Sequence, residues 1–341
     1  MLFTLVSLYY PYAGAVVLAA MVSAILIWVI RPLLLRYALA RPNARSSHRI
    51  PTPQGAGIAV IAATMLVAGM IIYRGAIPDM QFTLRVFSAA AFLAIVGMAD
   101  DIKPIPVLPR LALQAIAISL VLPFGDFQFV PMLPLWLERG LLLLVGLWFV
   151  NLVNFMDGLD LMTVAEVVPI TAAIIVVGPF QDPTSPTIIA AALCGAMIGF
   201  APFNRPVAKI FLGDVGSLPI GLLLGWCLLQ LAGQQHIAAA LLLPLYYLAD
   251  ATVTLLRRMM RGEPFWVAHR SHFYQRATDN GFTVMQVVGE VFALNLFLAA
   301  MAITSIAMRS LAADVAFLAL GAAAVAFVLV RFSRRRDQAM A

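Results

Sequence analysis

The sequence predicts an all-α polytopic membrane protein of about eleven transmembrane helices, with its N-terminus outside and its C-terminus cytoplasmic. Three observations carry this expectation. Of 341 residues, 63% are hydrophobic and only 11% charged, a balance that a water-soluble domain of this size cannot spread over its surface. Apolar stretches of roughly 17 to 25 residues, each long enough to cross a hydrocarbon core of about 30 Å, recur along the whole length. Basic residues fall into alternate connections, as the retention of Lys and Arg in short cytoplasmic loops requires.

In chain order the spans lie at 13–30, 55–73, 82–98, 108–124, 136–153, 161–178, 186–202, 217–233, 237–256, 283–307 and 312–331. The first is read as a retained helix, because no positive region precedes it and no small-residue cleavage site follows. With the N-terminus outside, Arg31, Arg36, Arg41, Arg45, Arg49, Lys103, Arg110, Arg205, Lys209, Arg257, Arg258, Arg261, Arg270, Arg276, Arg331, Arg334, Arg335 and Arg336 lie inside. These are 18 of the 22 basic residues, and only Arg74, Arg85, Arg139 and Arg309 remain near the outer face. The net charge of +6 is thereby spent on topology, and no nucleic-acid partner is expected. Cys194 and Cys227 fall inside predicted helices as small apolar residues, without disulfide or zinc spacing.

The chain reads as a single membrane-embedded domain, 1–341, with no soluble insert or internal repeat. Outer connections such as Gly75 to Met80, Gly125 to Leu135 and Pro179 to Pro186 hold only turn chemistry. The inner loops, at about 31–54, 99–107, 154–160, 203–216 and 257–282, carry polar residues that a turn does not need.

Two adjacent carboxylates, Asp100 and Asp101, stand where the third span leaves the membrane, either as solvated helix-end residues or as a site. The fifth span ends in Asn151, Asn154 and Asp157, which step by three and share a helix face. The loop before the eighth span holds Asn204, Lys209 and Asp214, and Asp214 is alternatively a cap for that helix. Before the tenth span, His269, Arg270, His272 and Arg276 mix two histidines with two arginines, a set that repels a metal cation and suits phosphate oxygens. His48 and Arg49, between the first two spans, are candidate anion contacts in a loop fixed by Pro51, Pro53, Gly55 and Gly57. Asp250 is an intramembrane carboxylate with Arg257 or Arg258 as its expected partner. Acids and bases thus share one side of the bilayer, the composition that brings a divalent cation and a polyphosphate together.

In order and side, the loop from Ser47-His48 to Gly57, the Asp100-Asp101 pair, Asn151 to Asp157, Phe203 to Ser217 and His269 to Arg276 resemble the polyprenyl-phosphate N-acetylhexosamine-1-phosphate transferase superfamily. The resemblance covers nearly the whole chain. It implies transfer of a HexNAc 1-phosphate from a UDP-sugar, UDP-GlcNAc or a related UDP-amino sugar, to undecaprenyl phosphate in the bacterial inner membrane. UMP is released, and the branch approached most closely starts O-antigen or similar surface glycans. By the same resemblance Mg²⁺, with Mn²⁺ as a substitute, sits on Asp214, Asp157 and Asp100. Asp100, Asp101, Asp157 and Asp214 form the catalytic set, with Asp100 or Asp101 facing the lipid phosphate. His48, Arg49, Asn151, Asn154, Asn204, Lys209, His269, Arg270, His272 and Arg276 bind substrate, and a homodimer is the suggested assembly. Two departures stand out. Pro104 occupies the position where the family often carries a third Asp. His269 and His272 replace the three consecutive histidines of the phospho-MurNAc-pentapeptide translocases, which points away from the peptidoglycan precursor.

Physics supports a cation between such substrates. Two unit negative charges about 4 Å apart repel by roughly 1 kcal/mol in water and roughly 4 kcal/mol at an effective dielectric near 20. Proton abstraction is a smaller demand, because a phosphate monoester with its second pKa near 6 is largely dianionic at neutral pH. Two other function classes make different demands. A secondary transporter or ion-coupled carrier calls for acids at mid-membrane and paired broken helices. A non-catalytic scaffold calls for Asp100, Asp157 and Asp214 to be replaceable.

Overall fold

The computed structural model describes residues 2–40, 51–74, 80–123, 128–180, 185–264 and 269–336. Among them run thirteen α-helices: α1 (Leu2–Tyr37), α2 (Gly57–Arg74), α3 (Met80–Ile102), α4 (Val107–Val121), α5 (Leu135–Met156), α6 (Met162–Val177), α7 (Ser185–Phe200), α8 (Asp214–Gly233), α9 (Ile237–Leu242), α10 (Leu245–Met260), α11 (Phe273–Asp279), α12 (Val284–Met308) and α13 (Leu311–Ser333). The strands described are a two-residue antiparallel ribbon, β1 (Leu39–Ala40) against β2 (Thr52–Pro53). Nine of the described helices, α1 to α3, α5 to α8, α12 and α13, are long and apolar enough to cross a bilayer. The protein is an all-α, multi-pass membrane protein.

Proline accounts for the two expected spans that differ. The fourth, α4, is only 15 residues long, a rise of roughly 22 Å. Pro123 denies the helical conformation to the residue before it, and Leu122 is extended. The expected unbroken helix over 237–256 is two helices, α9 and α10, parted at Leu243 and Pro244. Pro244 supplies no N–H, and its ring displaces the carbonyl four residues back. Two boundaries matter for the site. Helix α3 continues to Ile102, past the expected end at 98, so Asp100 and Asp101 stand on its last turn. Helix α8 begins at Asp214 rather than 217.

Helix α8 is the hub: 78% of the residues in its most apolar 18-residue stretch are buried, against 22% for α1 and 28% for α13. The outer helices turn Met21, Trp28, Leu33, Val315 and Phe327 outward, an apolar surface suited to hydrocarbon and not to water. At the hub's N-terminal end, α2 and α3 pack against α8 through backbone. A Cβ on Gly57 would lie 2.2 Å from the Gly216 Cα, and one on Gly97 would lie 2.2 Å from the Asp214 carbonyl oxygen. Only glycine permits that approach, and it sets the last turn of α3 beside the first turn of α8.

Candidate active site

The motifs meet at this end of the bundle because backbone pairing and capping hydrogen bonds draw the loops together. Residues 53–57 pair with 211–212: Phe211 N–H donates to Pro53 O at 2.8 Å, and Gly57 N–H donates to Leu212 O at 2.9 Å. The first and fourth motifs are thus one layer.

Asp101 closes the head of α8. Its carboxylate accepts the backbone N–H groups of Asp214 at 3.0 Å and Val215 at 3.1 Å, and the side-chain amide of Gln54 at 2.8 Å. These N–H groups have no intrahelical acceptor, and the helix N-terminus carries partial positive charge, so a carboxylate from a neighbouring helix suits both needs. Gly213, at φ 77°, lets the chain turn beneath that carboxylate. The capping role weighed for Asp214 therefore belongs to Asp101. Asp214 is freed to project from the first turn.

The Asp214 carboxyl lies within hydrogen-bonding reach of that of Asp100. It accepts the Asn154 side-chain amide at 2.7 Å, and the same amide nitrogen reaches Ser217 Oγ at 2.8 Å. Asp100 is oriented by the Ile105 N–H at 2.5 Å and by the Arg110 guanidinium at 3.1 Å. Two carboxyls this close repel unless a proton or a cation lies between them. Both are partly exposed. Their hard oxygens suit Mg²⁺, which takes one or two protein carboxylates and fills its remaining positions with phosphate oxygens and water. Among the described residues no three His, Cys, Asp or Glu side chains converge on one point; of the three expected carboxylates, Asp100 and Asp214 are the two brought together.

Asp157, the C-cap of α5, accepts the Thr163 hydroxyl instead. Burial, aided by the Asp101 charge and opposed by the Thr163 bond, pushes its carboxyl up to about 7. Beyond it the chain passes through Leu161 at φ 64°, an uncommon conformation for a bulky residue. Asn204 holds that turn, accepting Leu161 N–H at 2.6 Å and donating to Ile210 O at 3.0 Å. With both ends of its amide on backbone, Asn204 fastens two loops together. Asn151 is also engaged, its buried amide pairing with Gln114 of α4 at 2.6 Å. It shares a helix face with Asn154 but sits one turn deeper, where α4 covers it.

The basic rim also divides. His272 is 4% exposed and turns its Nδ1 to Asp250 at 3.3 Å. Asp250 also accepts the N–H groups of Phe273 at 3.0 Å and Tyr274 at 3.1 Å. Its partner is therefore the head of α11, and not Arg257, which lies over the Phe273 ring, or Arg258, which pairs with Glu263. Arg270 is tied back to Thr278 and Asp279. His269 stacks on His272 at 4.9 Å, and burial with the neighbouring His272 and Arg258 charges lowers its pKa to about 4. Among the described residues, no side-chain partner holds Arg276 or the exposed Lys209. Tyr274 joins this rim to the acids, donating its hydroxyl to Phe155 O at 2.9 Å. His48 and Arg49 lie outside the described residues.

Sequence reasoning missed Arg110, counted only for topology although it follows Pro109 at the entrance to α4. It also missed Gln54 and Thr163, whose roles depend on contacts distant in the chain.

The model of a family described as "Glycosyl transferase family 4" matches residues 83–232. A decaprenyl-phosphate N-acetylglucosaminephosphotransferase of Mycobacterium leprae is 28% identical, across 74% of this chain and 72% of its own. A probable undecaprenyl-phosphate N-acetylglucosaminyl 1-phosphate transferase of Bacillus subtilis is 26% identical, across 82% and 84%. A phospho-N-acetylmuramoyl-pentapeptide-transferase of Leuconostoc citreum is 29% identical, across 53% and 62%. The matched segment runs from α3 through α8 and so contains Asp100, Asp157 and Asp214, and together with these relatives it supports the resemblance to the polyprenyl-phosphate N-acetylhexosamine-1-phosphate transferase superfamily, of the glycosyl transferase family 4 type.

Proposed function

We propose that this protein transfers a HexNAc 1-phosphate from UDP-GlcNAc, or a related UDP-amino sugar, to undecaprenyl phosphate at the cytoplasmic face of a bacterial inner membrane, initiating a surface glycan. The observation that carries the proposal is the Asp100–Asp214 carboxyl pair at the head of α8, in a chain that also leaves Arg276 and Lys209 without side-chain partners among the described residues. A phosphoryl-transfer site needs both signs of charge, because its two substrates are anions. The names of the relatives support the general reaction. His269 and His272, in place of a histidine triplet, argue against the peptidoglycan precursor as the donor.

In the reaction an oxygen of the lipid phosphate forms a bond to the β-phosphorus of the UDP-sugar. The bond from that phosphorus to the bridging oxygen breaks, and UMP leaves with the oxygen. Asp100 and Asp214 would hold Mg²⁺, whose contribution when bound is to neutralise charge developing on the diphosphate oxygens. Arg110 orients Asp100, and Asn154 orients Asp214. Asp157 serves the nucleotide side, while Arg276, Lys209 and a neutral His269 offer donors to the diphosphate and sugar. The acceptor's isoprenoid tail has a suitable neighbour in an apolar cavity of about 190 Å³ between α4, α5, α8, α9 and α10, lined by Ile118, Val145, Phe149, Leu222, Trp226 and Pro244.

Purified protein in proteoliposomes, given UDP-GlcNAc, Mg²⁺ and undecaprenyl phosphate, is expected to release UMP only when all three are present. No UMP from any UDP-HexNAc, together with ion uptake by the same vesicles, would return the assignment to a carrier.

A further inference from the structure

Glu166 is a carboxyl that the proposed chemistry does not use. It lies on α6 one turn beyond Thr163 and is 1% exposed inside an apolar bundle. An acid is costly there unless it satisfies something equally costly. The break at Pro244 supplies that need, because it exposes the N–H groups of the first turn of α10 in the interior. The Glu166 carboxyl lies against the Tyr247 backbone N–H and accepts the Asn295 side-chain amide of α12 at 2.6 Å. Helix α10 is thus anchored at its broken end. From there the connections run toward the site. Tyr246 donates its hydroxyl to Asp250 at 3.1 Å, Asp250 caps α11, and Tyr274 of α11 reaches Phe155, two residues before Asp157.

We propose that Glu166 is a positioning residue for the histidine and arginine segment 269–276, acting by capping the broken helix α10, whose Asp250 in turn holds α11. It touches no substrate. A carboxyl deep in the bundle sets the placement of Arg276 and His269 at its surface. The part of the inference that concerns catalysis rests on the transferase assignment. The part that concerns the placement of α11 does not.

The test uses the full-length protein in detergent or nanodiscs, with Glu166→Gln, Glu166→Met and Tyr274→Phe variants. Amide hydrogen exchange is read over 269–279, with 214–233 as the internal reference. Glu166→Met is expected to speed exchange over 269–279 by about tenfold or more, leaving the reference segment unchanged, while Glu166→Gln, which keeps an acceptor oxygen, restores protection. In turnover, Glu166→Met is expected to raise KM for the UDP-sugar by ~10-fold with the KM of the lipid acceptor unchanged. Combined with Tyr274→Phe it should give less than the product of the separate effects. If Glu166→Met does not fold, the comparison moves to Glu166→Gln and Asn295→Leu, and protection over 269–279 must fall for Asn295→Leu only. Folded variants whose 269–279 amides exchange as in the parent protein, or whose effects multiply with Tyr274→Phe, overturn the proposal. Exchange is read without turnover, so a protein that releases no UMP still decides the placement of α11.

Discussion

Asp101 and Asp250 do the same job at two places. Each leaves its own helix to accept the first free N–H groups of another, Asp101 at the head of α8 and Asp250 at the head of α11. What each cap presents is opposite in sign. At α8 the capped turn carries Asp214, which projects toward Asp100. At α11 the residue at the cap is His272, which folds back on the capping carboxylate and leaves Arg276 at the edge. One capping arrangement supplies the acidic half of the site, the other its basic half. Adjacency in sequence is therefore a poor guide to role: Asp100 and Asp101 are neighbours, yet one faces the site and the other holds the scaffold.

The sharpest test of this difference contrasts Asp214→Asn with Asp101→Asn. Asp214→Asn keeps the Asn154 contact region and should leave thermal unfolding near that of the parent while lowering UMP release by ~10²–10³-fold. Asp101→Asn should lower the unfolding temperature as well, because one amide oxygen cannot serve three donors. Equal unfolding temperatures would break the division of labour between them.

The α11 end is probed by Asp250→Ala. It strands the buried N–H groups of Phe273 and Tyr274, at roughly 1–3 kcal/mol for each unsatisfied group. The expected result is a large loss of thermal stability in detergent with protection lost over 269–279. A variant that kept parental protection there would show that Asp250 is not the anchor.

Gly97→Ala probes the approach of α3 to α8. Its Cβ would meet the Asp214 carbonyl, so α3 must move. A destabilisation of about 1–3 kcal/mol with a disproportionate loss of UMP release is expected, since the displacement falls at the Asp100–Asp214 pair. Stability lost without any loss of activity would mean that the pair tolerates displacement.

The smallest effect is a pH dependence. The fold lowers the pKa of His269 to about 4 from an ordinary 6.5, so the unfolded chain takes up this proton first. The stability contributed by neutral His269 is whole above pH about 6.5 and is lost as pH falls toward 4. His269→Gln should therefore show a shallower decline in unfolding temperature across that window. Identical slopes would show that the histidine titrates alike in both states.

The sequence pattern made the membrane body legible, because apolar length and arginine placement each depend on one local property. The five motifs were legible as polar residues at span ends, where apolar residues set the background. What stayed hidden was partnership. Nothing in the run Asn151, Asn154, Asp157 tells that Gln114 occupies the first, Asp214 the second and Thr163 the third. The basic loop invited one role for four residues, yet Asp250 withdraws His272 from the surface while Arg270 turns to Asp279. The break at Pro244 was written in the chain and was absorbed into an apolar run that looked continuous.

In the proposed reaction the Asp100–Asp214 pair serves phosphoryl transfer to a lipid. Mass spectrometry of the lipid fraction, after incubation of parent and Asp214→Asn protein with undecaprenyl phosphate, Mg²⁺ and a panel of UDP-amino sugars, tests it most directly. The expected spectrum for the parent contains undecaprenyl diphosphate carrying one HexNAc, and that species is lost in the variant. A folded parent protein that leaves every lipid unmodified, or an Asp214→Asn protein that forms the product at the parental rate, would contradict it.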